Sequence, residues 1–446
     1  METVSRQLCG YTGRMSAQDT PSSSTTCSVS SESDVLRWSG RDTGWLSNLF
    51  GTAVGAGVLY LPINAGRVGF IPLVIIALLA GPMIWFAHRN LTRFCLSAER
   101  PDADITATMT DRFGQQAGSL LTLAYFLSIY PILLLYAIGL TNVTEQFFRY
   151  QLEWSVPHRS VISFILLAVL VMVISKGERW VLSAVESLVM PLVVILIGIS
   201  LYLIPQWHLD HLFLMPAPTE LAMSAFVIIP MLIFSFNHSP ACSAFAQAYR
   251  MVCRDTALCA RKTDRILAVN AGSLLLVVML FVFSCVLSLT PAEIQVALQE
   301  NVPVLSVFAS REGAGFFALI ASVIAFLAIT SSFFGVYMGS IEGVGGLFTL
   351  LAKRVTSIPV HSDASTRIAK VLIFLSCWLA ACLNLSVIGV IEGLLAPLLA
   401  VILFFMPVYG YYTIPELKHY RNPVFDVFTI ASGVIAISGF IVSKWF

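Results

Sequence analysis

The pentapeptide FNHSP, Phe236–Pro240, interrupts an apolar stretch that reads AFVIIPMLIFS before it and ACSAFA after it. The chain as a whole has 57% apolar and 11% charged residues and a mean hydropathy of +0.83. That is too hydrophobic for a soluble globule, whose surface needs roughly 25% charged residues. The chain therefore reads as an all-α polytopic membrane protein. In a bilayer the backbone must satisfy its own hydrogen bonds, so a helix unwinds at membrane depth only where protein or a water-filled cavity surrounds it. Pro240 lacks an amide hydrogen and suits the first position of a new half-helix, and Ser239 before it is a good N-cap. FNHSP is thus read as a break in a membrane helix.

Around that break, segments of roughly 20 apolar residues, the length needed to cross a bilayer, recur about eleven times. They cover residues 45–65, 70–90, 117–141, 160–175, 182–204, 219–249, 266–289, 314–350, 369–384, 386–412 and 424–443. Basic residues are retained on the cytoplasmic side of short loops. With the amino terminus inside and the carboxyl terminus outside, 21 of the 26 basic residues fall inside, leaving Arg67, Arg149, Arg159, Arg311 and Lys444 outside. Residues 1–43 form a Ser/Thr-rich tail read as disordered, with no apolar stretch resembling a signal peptide, and 44–446 form the membrane domain. The nine cysteines show no CxxC or zinc-like spacing. HLDH, His208–His211, is read as an ordinary polar loop, and no metal or cofactor is expected.

The first span carries a second break, GTAVGAGVLYLP, residues 51–62. Gly51, Gly55 and Gly57 ease departure from helical geometry, and Pro62 closes the stretch. Tight helix packing is the competing reading of the glycines. Spans one and six are corresponding members of two consecutive five-helix halves. Paired interruptions at corresponding positions point to a transporter binding site. Broken ends expose amides with a positive dipole and carbonyls with a negative one, a pairing that suits a zwitterion such as an α-amino acid.

FGTAVGAGVLYLPINAG at 50–66, FSFNHSP at 234–240 and FVFSCVLSLTPA at 281–292 resemble the serine and threonine permeases of the hydroxy and aromatic amino acid permease family. So do LTRF at 91–94, YPILLLY at 130–136, LYLIPQW at 201–207 and SFFGVYMG at 332–339. The resemblance runs from about residue 43 to the end of the chain. It implies the LeuT-like 5+5 inverted repeat with helices 1 and 6 broken, in a bacterial inner membrane. It also implies import of a small hydroxy amino acid by cation symport, usually with a proton.

With that likeness, the first-break residues Gly51, Thr52, Gly55, Ala56 and Gly57 are expected at the substrate, the amides of the last three taking its carboxylate. Carbonyls near Ser235 and Phe236 would take the ammonium group, and Asn237, His238 and Ser239 the side-chain hydroxyl, since each donates and accepts. Tyr125, Ser128 and Tyr130 are expected on the facing wall. His238 is read as the only histidine inside a span, serving either in coupling or as a neutral ring bonded across helices. Glu342 and Glu392 are gating or proton-passage candidates. One departure concerns coupling: the permease pattern in the eighth span has a lysine and a histidine where this chain has Ser331 and Val336. Thr330 and Ser331, with the Gly51 and Val54 carbonyls, offer hard oxygen ligands for sodium as the alternative to a proton. Ser and Thr hydroxyls bonded to their own helix are the plain alternative. An uncoupled facilitator, an aromatic amino acid permease and a membrane amino acid sensor remain as rivals. An enzyme is not expected, nor a nucleic-acid partner; the partners expected are an amino acid, H+ or Na+ and the lipid bilayer.

Overall fold

The computed structural model describes residues 36–55, 57–66, 70–150, 152–153, 157–208, 219, 228–229, 232–233, 235–253, 255–300, 303–309, 311, 315–355, 363–384 and 396–443. Helices account for almost all of them. They are α1 (Gly40–Ala53), α2 (Gly57–Gly66), α3 (Phe70–Leu96), α4 (Ile105–Tyr150), α5 (Arg159–Ser175), α6 (Glu178–Leu203), α7 (Ser239–Arg250) and α8 (Thr256–Ser288). Then follow α9 (Pro291–Glu300), α10 (Val304–Ala309), α11 (Gly315–Val355), α12 (Asp363–Leu383), α13 (Ala396–Ala400), α14 (Met406–Thr413) and α15 (Pro423–Ser443). A π-helical turn, Val401–Phe405, joins α13 to α14. Among the described residues, α3, α4, α6, α8 and α11 are each long and apolar enough to cross a membrane, and α1 and α2 form a sixth such segment bent by 53°.

Helix starts follow local chemistry. Ser39 and Asp42 close on each other, the Ser39 amide donating to Asp42 Oδ2 at 2.6 Å, so α1 begins at Gly40, inside the tail expected to run to residue 43. Asp255 accepts from the Ala257 amide at 2.9 Å and starts α8. Gly114, at φ +80°, lets α4 turn through a kink that a side chain would strain. Pro62 does not close the first break: it lies inside α2, where its missing amide leaves only the Val58 carbonyl without a helical donor.

The helices assemble around α11, which packs on α4 more extensively than any other described pair meets. The core side of α11 also touches α1, α6, α7 and α10, while α3 covers α7 and α8. Leu78, Leu120, Val194, Leu276 and Val424 stay exposed on outward faces. In water such a surface would be an aggregation liability, whereas facing lipid it costs nothing.

Candidate functional site

At the first break the backbone leaves the helix at Val54, whose φ and ψ are −82° and 75°. The Gly55 amide donates to the Ala53 carbonyl at 2.9 Å, so of the three amides expected to meet a carboxylate, this one is already engaged within a tight turn. Ala56 lies outside the described residues. Gly57 opens α2, where first-turn amides lack helical acceptors. The Thr52 hydroxyl donates to its own helix, at Asn48 O, 2.6 Å.

At the second break, Phe236 ends a helical turn by donating to Leu232 O at 3.0 Å, and α7 starts at Ser239. The cap differs from the expected one: Asn237 Oδ1 accepts from the Ser239 amide at 3.1 Å, while the Ser239 hydroxyl has no partner within the protein. Asparagine reaches the amide two residues on in an Asx turn, and His238 takes the cap position without a side-chain bond, so the turn stands in for a serine cap.

His238 is not the only histidine inside a span. His88 on α3 is buried, and the two rings stack with centroids 3.6 Å apart and planes at 11°. The His238 amide donates to His88 Nε2 at 3.1 Å, which makes that nitrogen an acceptor and puts the ring proton on Nδ1, where it is donated to Ile84 O at 2.8 Å. His238 Nδ1 likewise lies 3.0 Å from Phe236 O, and Asn270 Nδ2 lies 3.3 Å from His238 Nε2. Both rings thus have both nitrogens engaged, and three of those four contacts hold the break or its neighbour Asn270. Because the Phe236 carbonyl is used by the His238 ring, only its second lone pair remains for an ammonium group.

The α4 wall is not the expected one throughout. Tyr125 is fully buried and its hydroxyl donates to Glu342 Oε2 at 3.3 Å. Ser128 donates to Tyr125 O at 2.8 Å, within its own helix. Tyr130 points elsewhere, stacking on Phe126 and bonding Ser376 of α12. Its place is taken by Tyr136: a β-carbon built on Gly55 would lie 2.6 Å from Tyr136 Oη and 2.9 Å from Ser332 Oγ. At 3.6 residues per turn, Tyr136 falls within about 20° of Tyr125 on the α4 wheel, and Tyr130 about 140° away. That helical phase was the available signal.

On α11 the residues facing α1, α4 and α7 recur at steps of three and four. Ser332 donates to Gly51 O at 2.7 Å, Gly335 lies against Thr52, Gly339 against Pro240 and Tyr125, Glu342 against Tyr125, and Gly346 against Thr106 and Thr122. Ser331 also reaches Gly51 O, at 3.3 Å, alongside Ala328 O at 3.1 Å. Of the four expected sodium ligands, Gly51 and Ser331 are therefore adjacent, and Gly51 O already accepts from two hydroxyls. The Thr330 hydroxyl is buried without a partner, and no contact ties it to the Val54 carbonyl. Glu392 lies outside the described residues.

Buried side-chain groups without protein partners include both amide atoms of Asn48 on α1, the hydroxyls of Ser235 and Ser239 at the second break, Asn270 Oδ1 on α8, and the hydroxyls of Thr330, Tyr337 and Ser340 on other faces of α11. Each costs about 1–3 kcal/mol unless something polar meets it. A cavity of about 700 Å³ opens at the end of the molecule where α1, α4, α6, α7 and α11 meet. Its lining passes from exposed Asp102, Asp111 and Met251 to buried Trp45, Thr122 and Glu342.

At the opposite end Arg311 fastens three segments: Nε and Nη2 donate to the Glu293 carboxylate at 2.9 and 3.0 Å, Nη1 to Gln206 Oε1 at 2.9 Å, and Nη2 to Ser288 O at 2.7 Å. Burial raises the Glu293 carboxyl, but bonds from Arg311 and Thr290 outweigh it and leave it below the usual carboxylate range. A lowered carboxyl stabilises the fold above its unfolded titration range, and that contribution disappears as pH falls through the folded one. Proteolysis of α9 is therefore expected to accelerate below the ordinary carboxylate range in the native chain, and at neutral pH in Glu293→Gln. Equal protection of the two proteins at neutral pH would contradict this.

The profile of the tryptophan/tyrosine permease family matches residues 46–361. The serine transporter SdaC of Escherichia coli is 42% identical over 419 residues, covering 93% of this chain and 97% of that protein. The threonine/serine transporter TdcC of Escherichia fergusonii is 34% identical over 440 residues, covering 94% and 99%. Among solved structures, a manganese transporter mutant of Eremococcus coleocola aligns with a TM-score of 0.58 at 12% identity, covering 93% of this chain and 87% of that one. A Na+-coupled sialic acid symporter aligns with a TM-score of 0.51 at 15% identity, covering 90% of each. These two likenesses give the architecture: an all-α membrane protein of the LeuT type.

Proposed function

Because the chain belongs to the tryptophan/tyrosine permease family, we propose that it is a bacterial inner-membrane secondary transporter importing L-serine or L-threonine with a cation, proton or sodium. The observation that carries this reading is the pair of helix breaks facing one stripe of α11, with unpartnered buried groups of Ser235 and Ser239 at the second break and of Asn270 beside its His238 ring. The first-turn amide of Gly57 and a spare lone pair on Phe236 suit the two charged ends of an amino acid. Asn237 and Ser239 are the candidates for its hydroxyl. Tyr136 Oη, standing 2.6 Å from where a Gly55 β-carbon would be, leaves room for a small side chain and favours serine over an aromatic substrate. The amino terminus lies in the cytoplasm and the carboxyl terminus in the periplasm on this reading, since that arrangement keeps 21 of 26 basic residues inside.

The test is uptake of radiolabelled L-serine and L-threonine into proteoliposomes with proton and sodium gradients imposed separately. One charge moving through 100 mV supplies about 2.3 kcal/mol, so coupled uptake should concentrate serine roughly fiftyfold. Accumulation under sodium alone, lost in Ser331→Ala, assigns the cation to the Gly51–Ser331 region. Equilibration without accumulation under either gradient makes the protein a facilitator, and no uptake of either amino acid overturns the substrate reading.

A further inference from the structure

Glu342 is 9% exposed, sits two-thirds of the way along α11, and lines the inner cavity. One turn before it, Gly339 touches Pro240 at the start of α7. The carboxyl thus stands between the second helix break and the cavity. Its neighbours are hydroxyls: Tyr125 Oη at 3.3 Å from α4, and Ser243 of α7, whose oxygen accepts from the Ile105 amide at 3.0 Å, leaving its proton to point at the carboxylate. The charged groups facing it are committed elsewhere. Arg250 of α7 donates to the Cys95, Pro101 and Ala103 carbonyls, and Asp104 caps α4 through Thr106 and the Ala107 amide. The thiols of Cys95 on α3 and Cys242 on α7 complete the surroundings. No ion pair joins Glu342 to a cation among the described residues.

We propose that Glu342 is the group that carries a coupled proton through the transport cycle, an inference that rests on the transporter reading above. A cationic partner would lock a carboxyl in its charged state, but hydroxyls donate to the carboxylate and accept from the acid equally well. A neutral acid also crosses a low-dielectric interior far more cheaply than an unpaired anion. One O–H bond forms on Glu342 when a proton arrives from water on the outer side, and the same bond breaks when it leaves to water in the inner cavity. Glu342 is thus the coupling residue that the missing eighth-span lysine leaves open.

The experiment uses the full-length protein in proteoliposomes enclosing a pH-sensitive dye. Added L-serine is expected to acidify the lumen of wild-type vesicles. Glu342→Gln copies the protonated carboxyl, so serine–serine exchange is expected to persist within about twofold while serine-evoked proton influx falls at least about tenfold. Proton influx undiminished in Glu342→Gln, or wild-type accumulation driven by sodium with no proton influx, overturns the proposal and leaves the transporter reading intact. Absence of exchange in the wild type instead overturns the transporter reading. Should Glu342→Gln lose exchange too, Glu342→Asp decides. Proton influx returning with the carboxyl supports the proposal. Exchange without proton influx, or neither, overturns it, because a group needed only for its proton is replaceable by another carboxyl.

Discussion

Gly55→Ala is expected to lower the initial rate of L-serine uptake by ten- to a hundredfold while leaving the protein folded. The new methyl would stand 2.6 Å from Tyr136 Oη and 2.9 Å from Ser332 Oγ, distances that carbon and oxygen do not tolerate. Neither neighbour retreats freely. Ser332 is held by its bond to Gly51 O at 2.7 Å, and the Tyr136 ring packs against the core. Overpacking of this kind costs about 1–3 kcal/mol, and each 1.4 kcal/mol is tenfold in rate or affinity. The methyl would also project where the proposed substrate meets the first break. Gly198→Ala is the control, since a β-carbon there meets nothing within 4 Å. Gly55→Ala combined with Tyr136→Phe removes one clashing oxygen and should regain part of the rate. Wild-type uptake by Gly55→Ala alone would mean that the break does not border the substrate.

Lys262→Met is expected to produce the largest loss of stability. Lys262 Nζ lies 2.7 Å from Asp42 Oδ2, with side-chain exposures of 4% and 1%, and donates to Arg37 O at 2.7 Å. Tyr249 also donates to Asp42. The cluster ties the first turn of α1 to α7 and α8. Removing the lysine leaves a buried carboxylate without its cation, a change that costs about 3–5 kcal/mol. Asp42→Asn in the same protein removes the orphaned charge and should restore most of that loss. Thermal unfolding in detergent measures both. A double variant no more stable than Lys262→Met would show that the charge pair is not the source.

Both helix breaks were legible because their signals are local. Glycines at 51, 55 and 57 and the Asn–His–Ser–Pro run disfavour a continuous helix whatever surrounds them. Partners across helices were not legible, because they depend on which face each helix turns. His88 lies at the end of a span, where nothing local marks it, yet it supplies the acceptor for the His238 amide. Tyr130 lies closer in sequence to Tyr125, but helical phase puts Tyr136, not Tyr130, on the Tyr125 face of α4. The replacement of a Ser239 cap by the Asn237 turn depends on one amide's direction, which composition does not encode. Ser332 stood beside Ser331 in the sequence, and only the roll of α11 makes it the shorter bond to Gly51.

The stripe Ser332, Gly335, Gly339, Glu342 and Gly346 on α11 has a mechanical consequence. Packed helices ordinarily interlock, ridges of branched side chains seated in grooves, and can shift only by jumping a whole turn. Where α11 meets α1 and α7 it presents hydroxymethyl groups, bare backbone and one long polar side chain instead of branched ridges. The knobs run the other way: Thr52 of α1 seats where a Gly335 side chain would stand and Pro240 of α7 where a Gly339 side chain would, so α1 and α7 are keyed to α11 at two points one turn apart.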